Sequence, residues 1–203
     1  MSTTHPTPST FEDAMKMTES ILRTSSYMLE RGSIESEVEQ LVVGAYRKAS
    51  GRGRTFSRND LYVRVMDSFP KEAGELLMTM AHKRAAGEPL QYLVGYQFFL
   101  NHEYEVTPDV LIPRPETEIL VYEVAQHFKR QIAQPKYGIE IGLGSGCISI
   151  ELLKLFPELR ICASEASLGA IEVATRNSNK ILGADSDRLK IFQTKDESQV
   201  LEV

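Results

Sequence analysis

Residues 137–146 read Tyr137-Gly-Ile-Glu140-Ile-Gly142-Leu143-Gly144-Ser145-Gly146. A short apolar strand carries a carboxylate, Glu140, and runs into a loop with glycine at every second position. The helical run Cys147 to Phe156 follows. A loop of this kind lets a ligand lie against bare backbone and against the amides of the helix start. Arg160-Ile-Cys-Ala-Ser-Glu165 reads as a second strand ending in a second carboxylate. Two strands, a glycine loop and two acids suit an adenosine-containing cofactor, with the second acid on the ribose hydroxyls. The bland alternative is a tight strand-to-helix turn that binds nothing.

The spacing narrows the choice. A dinucleotide fingerprint wants Gly or Ala at position 147, where this chain has Cys147. The glycines fit G-x-G-x-G instead, with an acid two residues ahead of the first. That arrangement resembles motif I of class I S-adenosylmethionine (SAM) methyltransferases. The resemblance implies that Glu140 orients the methionine end of the cofactor and that Glu165 binds its ribose. Gly142, Leu143, Gly144, Ser145 and Gly146 then form the wall along which the cofactor lies.

Strand and helix patterns alternate outward from this loop. Residues 116–130 are helical in period through Ile119, Leu120, Tyr122, Val124 and Phe128. Beyond Glu165 come a helix over about 168–182 and a third strand over 189–193. The order implies a parallel sheet with helical crossovers. Upstream, residues 1–86 read as a bundle of four amphipathic helices. Ser9 to Glu12 fits a capping box that opens a first helix continuing to a stop at Gly32. The others run over about 34–49, 60–69 and 71–86, the last with Leu76, Leu77, Met80 and Ala81 inward. Between bundle and sheet, residues 98–100 and 104–106 flank Asn101-His102 as a β-hairpin, and 107–115 is a connector stiffened by three prolines. The expected domains are 1–86, a hairpin and proline linker over 87–115, and a partial cofactor domain over 116–203. The fold class is α/β: helical bundle, hairpin linker, then the N-terminal part of a Rossmann-like sheet.

Composition excludes several classes. Of 203 residues 42% are hydrophobic, enough for a real core. No apolar run approaches the ~20 residues of a membrane span. The polar start, Met1 to Ser9, reads as a loose tail without a signal-peptide core. Cys147 and Cys162 both sit in segments expected to be buried, as reduced thiols of a cytosolic protein. The histidines, at 5, 82, 102 and 127, lack ligand spacing, so no metal is expected. Residues 1–86 carry 12 Lys/Arg against 11 Asp/Glu, and residues 87–203 carry 11 against 17. An acidic second half argues against broad nucleic-acid binding. One basic cluster, Arg47, Lys48, Arg52, Arg54 and Arg58, offers a weak contact to RNA or to an acidic surface. A solvated loop is the simpler reading.

The most distinctive stretch is Arg84-Ala-Ala-Gly-Glu-Pro-Leu-Gln-Tyr-Leu-Val-Gly95, then Phe98, then Val106-Thr-Pro-Asp-Val-Leu-Ile-Pro-Arg-Pro-Glu-Thr-Glu118. It resembles the HemK-type protein glutamine N5-methyltransferases, which act on peptide chain release factors. Bundle, hairpin and glycine loop stand in that family's order. The resemblance implies a bundle that docks the release factor, a sheet that binds SAM, and a cleft lined by Arg114, Pro115 and Thr117. It also implies an Asn-Pro-Pro-Tyr motif that orients the substrate glutamine. That tetrapeptide does not occur in residues 1–203, so no catalytic residue is assigned within them. The expectation is an inactive portion of a longer enzyme, with the strand at 137–141 left as an exposed sheet edge. The alternatives are a non-catalytic binding module, and a methyltransferase acting on nucleic acid.

Overall fold

The computed structural model describes residues 6–29, 33–51, 55–131 and 133–194. The expected stop at Gly32, two members of the basic cluster (Arg52 and Arg54) and the tail from Lys195 lie outside them. The chain divides into two compact units, Met1–Val94 and Gly95–Val203.

The first unit is helical: α1 (Phe11–Arg23), α2 (Ser26–Leu29), α3 (Ile34–Ser50), α4 (Arg58–Val63), α5 (Lys71–Ala85) and α6 (Leu90–Val94). The cap of α1 falls one residue later than expected. Thr10 accepts the Asp13 amide at 3.1 Å and the Asp13 carboxylate returns to the Thr10 N–H. The expected long first helix breaks at Thr24-Ser25, where the Thr24 hydroxyl bonds the Ile21 carbonyl at 2.7 Å. Such local side-chain bonds compete with the helical ladder. Pro8, read as part of a loose tail, is buried against Gly74.

The expected helix over 60–69 is also shorter, ending at Val63. The first amides of a helix have no partner inside it. Here Phe11 N–H donates to the Asp67 carbonyl and Glu12 N–H to that of Val65, while Phe69 N–H returns to Ser9. Capping α1 therefore holds residues 65–69 out of helical geometry. It also brings Phe11, Tyr46, Phe56 and Phe69 into one aromatic core, with Phe11 and Phe69 edge-to-face at 4.9 Å. In α5 the inward residues are Ala73, Leu77, Met78, Met80 and Ala81, and Leu76 is only half-buried. The described members of the basic cluster have partners inside this unit. Arg47 donates to the Phe56 carbonyl, Lys48 to that of Leu93, and Arg58 pairs with the buried Glu39. Two of these partners are backbone carbonyls, and the one acid, Glu39, lies ahead of the cluster in the sequence.

The second unit opens with the hairpin β1 (Tyr96–Phe99) and β2 (His102–Glu105), its turn at Leu100-Asn101, one position earlier than expected. Leu100 is left-handed, with φ 49°, and its amide is held by Glu118 at 2.9 Å. Then come α7 (Pro115–Lys129), β3 (Tyr137–Ile141), α8 (Cys147–Leu155), β4 (Arg160–Glu165), α9 (Leu168–Leu182) and β5 (Leu189–Gln193). The three strands are parallel in the order β3-β4-β5, each crossover a helix. This is the expected α/β, Rossmann-like arrangement, and among the described residues β3 is an edge.

Val121, Ala125, Ile150, Leu153, Ile161, Ala163 and Ala174 build the core between helices and sheet. In α7 it is thus Val121 and Ala125 that point inward, while Ile119, Leu120 and Tyr122 are exposed. Arg188 closes the end of α8 by donating to the carbonyls of Leu153, Phe156 and Leu159 at 3.0–3.2 Å. The other sheet face is bare. Tyr137 and Ile139 are 82% and 65% exposed, and Cys162 shares that face with Ile139 and Lys190 in register. Cys162 is therefore exposed, against expectation, while Cys147 is buried with its thiol pushed up to about 11 by burial.

Candidate functional site

Parallel strands converge their C-terminal ends, and here β3 and β4 end side by side at the glycine loop. The loop needs its glycines. Gly142, Gly144 and Gly146 have φ of 75°, 56° and 80°, a region that costs other residues roughly 1–2 kcal/mol. Their surroundings differ. A Cβ on Gly142 or Gly144 would meet nothing within 4 Å, so the loop backbone is open at both. A Cβ on Gly146 would lie 3.0 Å from Ile150 Cδ1 and 3.5 Å from Ala174. Gly146 serves packing, and the first two leave a cradle.

The neighbouring strand fixes the loop. The Gly142 and Leu143 amides both donate to the Ser164 carbonyl, at 2.9 and 3.1 Å, and Leu143 is buried in the core. The Gly144 amide donates to Glu165 Oε2 at 2.9 Å. Glu165 Oε1 accepts the Ala166 and Ser167 amides, at 2.8 and 3.0 Å. A carboxylate has about four acceptor directions. Three are used, so Glu165 retains about one for a ligand hydroxyl and also acts as a clamp on the loop. The Gly146 amide turns back to the Leu143 carbonyl at 3.0 Å. The Ser145 N–H has no partner among the described residues.

Glu140 lies on the helix side of β3. Its Oε2 accepts the Ser149 amide at 3.1 Å and the Ser149 hydroxyl, in the first turn of α8. Burial raises its pKa to about 6 against these two bonds. A carboxylate poised near neutrality at the end of the first strand suits a cationic ligand group. Its Oε1 makes no hydrogen bond among the described residues.

The connector is partly anchored. Val110, Ile112 and Pro113 are buried, while Arg114 and Pro115 are exposed and Thr117 is half-buried. Arg114 is the N-cap residue of α7 and Pro115 its first helical residue. The Arg114 guanidinium makes no ion pair or hydrogen bond among the described residues. Glu118, four residues on, accepts the Leu100 amide at 2.9 Å.

Sequence reasoning missed Asn177 of α9. It is fully buried (0% exposed). Its Oδ1 accepts the Glu105 amide at 2.7 Å, and its Nδ2 donates to the carbonyls of Glu105 and Ser145, both at 3.0 Å. Nothing in the sequence marks it, since one Asn in a helix reads as a surface residue. Glu151 of α8 was missed too. Its Oε1 accepts the Tyr104 hydroxyl at 2.8 Å and meets His102 Nδ1 at 2.7 Å. These bonds fasten the hairpin beside the loop. Among the described residues no three His, Cys, Asp or Glu converge as a metal site.

The chain resembles known proteins in sequence. The family model described as the PrmC N-terminal domain matches residues 54–95. A release factor glutamine methyltransferase of Burkholderia pseudomallei is 40% identical over 127 residues, 63% of this chain and 44% of that protein. One of Bacillus cereus is 31% identical over 172 residues, covering 84% and 58% of the two chains. One of Geobacter sulfurreducens is 34% identical over 159 residues, covering 77% and 52%. The N-terminal domain of human METTL16, solved with SAH, aligns over 55% of this chain at 17% identity with a TM-score of 0.37, too low to weigh. The chain spans about half the length of the curated relatives it matches. Over the matched residues the chain is similar in sequence to release factor glutamine methyltransferases.

Proposed function

We propose that this chain contributes the substrate-docking bundle and the cofactor cradle of a cytoplasmic enzyme that methylates release factors. The methyl group would pass from SAM to the side-chain nitrogen of the glutamine in a Gly-Gly-Gln loop. One observation carries the reading. Three left-handed glycines follow the first parallel strand, and the terminal carboxylate of the second strand sits on the amide of the middle one. The names of the relatives support the substrate class.

The residues present fit such a cofactor. Gly142 and Gly144 leave room where any side chain would project, the Ser145 N–H is unspent, and Glu165 keeps an acceptor direction. Glu140 would face the cationic methionine end. When bound, the cofactor would supply an electrophilic methyl group on a sulfonium, and the glutamine nitrogen that accepted it would release its proton to solvent. An amide nitrogen is a weak nucleophile because its lone pair is delocalised, so the protein must aim it rather than deprotonate it strongly. The groups that would aim it belong to the Asn-Pro-Pro-Tyr motif, which residues 1–203 lack. The proposal therefore holds that residues 1–203 bind SAM without transferring its methyl group.

Incubating residues 1–203 and a longer homologue with methyl-labelled SAM and a release factor tests the proposal. Label on the Gly-Gly-Gln glutamine with the homologue alone is the expected result. Transfer by residues 1–203 at a similar rate would overturn the division of labour, and label on nucleic acid instead would overturn the substrate class.

A further inference from the structure

We infer that Asn177 is a positioning residue that bolts the cofactor loop to the hairpin. It rests on the reading of the loop as a SAM cradle. The peptide joining Ser145 to Gly146 is held at both polar ends, its carbonyl by Asn177 Nδ2 at 3.0 Å and its N–H by the Leu143 carbonyl at 3.0 Å. That peptide sets the left-handed turn at Gly146 and lies next to the unspent Ser145 N–H. The same amide group takes both backbone groups of Glu105, at 2.7 and 3.0 Å. One side chain with no exposed surface thus satisfies three backbone groups from two segments distant in sequence. Both of its N–H donors are committed, so only an amide of this length serves all three bonds. The hairpin has other attachments to α9, notably the Arg176 guanidinium on Glu105 at 2.8–3.2 Å. Of these bonds only that of Asn177 reaches the loop.

The test compares Asn177→Asp with Arg176→Gln in the 203-residue chain. The first removes both donors but keeps the acceptor for the Glu105 amide. The second loosens the hairpin and leaves the loop alone. Amide hydrogen exchange and calorimetry with SAM are the readouts. Asn177→Asp should speed exchange across residues 142–146 at least tenfold and weaken SAM about tenfold. Arg176→Gln should lower the melting temperature with neither effect. Faster exchange spread equally through α8 and β4 would make Asn177 an ordinary packing residue and overturn the inference. Should Asn177→Asp fail to fold, exchange in the unmutated protein decides. The Glu105 and Gly146 amides should then open together with matched protection, and unmatched protection overturns the inference. If the unmutated chain takes up no SAM, the proposed function falls, and the exchange arm still judges Asn177.

Discussion

Glu165 Oε2 accepts the Gly144 amide at 2.9 Å across the ends of two parallel strands. The carboxylate expected to meet only a ribose also holds the loop that the cofactor would cross. Its other oxygen closes on two amides that lead into α9. Ligand recognition and loop shape therefore depend on one side chain.

Glu165→Ala should consequently lower both SAM affinity and thermal stability. Three amides lose a charged acceptor, two of them at exposed positions where water replaces it. The affinity loss should be roughly 1–3 kcal/mol, and the stability loss nearer the low end of that range. Calorimetry and a thermal melt on one sample read both. Affinity lost at an unchanged melting temperature would remove the clamp from the account.

The glycines separate in the same assay. Gly142→Ala and Gly146→Ala share the cost of a left-handed backbone, about 1–2 kcal/mol. Only the second adds a clash, with Ile150 and Ala174. Gly146→Ala should melt clearly lower than Gly142→Ala. Equal melting temperatures would show that the packing around Gly146 yields.

Glu140 makes stability depend on pH. Its pKa is raised from 4.5 to about 6 by burial, so between these values the folded protein binds more protons than the unfolded one. Stability then falls as pH rises through that window, by about 2 kcal/mol in all, and is level above it. Glu140→Gln keeps an acceptor for Ser149 and should flatten the profile and melt higher at pH 7.5. SAM affinity should rise with pH through about 6 in the unmutated chain, as the carboxylate ionises, and should lose that dependence in the variant. A stability profile that rises over this window would reverse the sign of the argument.

Arg114 is exposed and unpaired among the described residues, so Arg114→Ala should change stability by less than about 0.5 kcal/mol. Placed in a longer homologue with the same connector, it should lower methyl transfer. A lower melting temperature with full activity would assign it a structural role.

Legibility in the sequence followed range. The glycine loop, both acids and the three strands were readable because each signal is local: glycine at positions of positive φ, apolar runs, a carboxylate at a strand end. The end of α4 at Val63 was not, because carbonyls 65 and 67 cap a helix more than fifty residues away in the chain. Cys162 was misplaced because strand alternation shows two faces without saying which one the helices cover. The α7 face was misread for a related reason: Ile119, Leu120 and Tyr122 outweigh Val121 and Ala125 in hydrophobicity, yet the smaller residues fit against α8. Asn177 and Glu151 stayed silent because a buried polar residue differs from a surface one only in its partners, and those come from other elements.

The central claim is that the loop at 142–146 is a cradle for SAM, and calorimetry with Gly144→Val tests it most directly. The loop amide at 144 faces Glu165, and a Cβ there meets no protein atom within 4 Å, so a valine would occupy ligand space rather than core. Titrating SAM into residues 1–203 should give a saturable heat that Gly144→Val abolishes, while the variant still melts cooperatively. Equal binding by the two proteins, or no binding by the unmutated chain, would contradict the account.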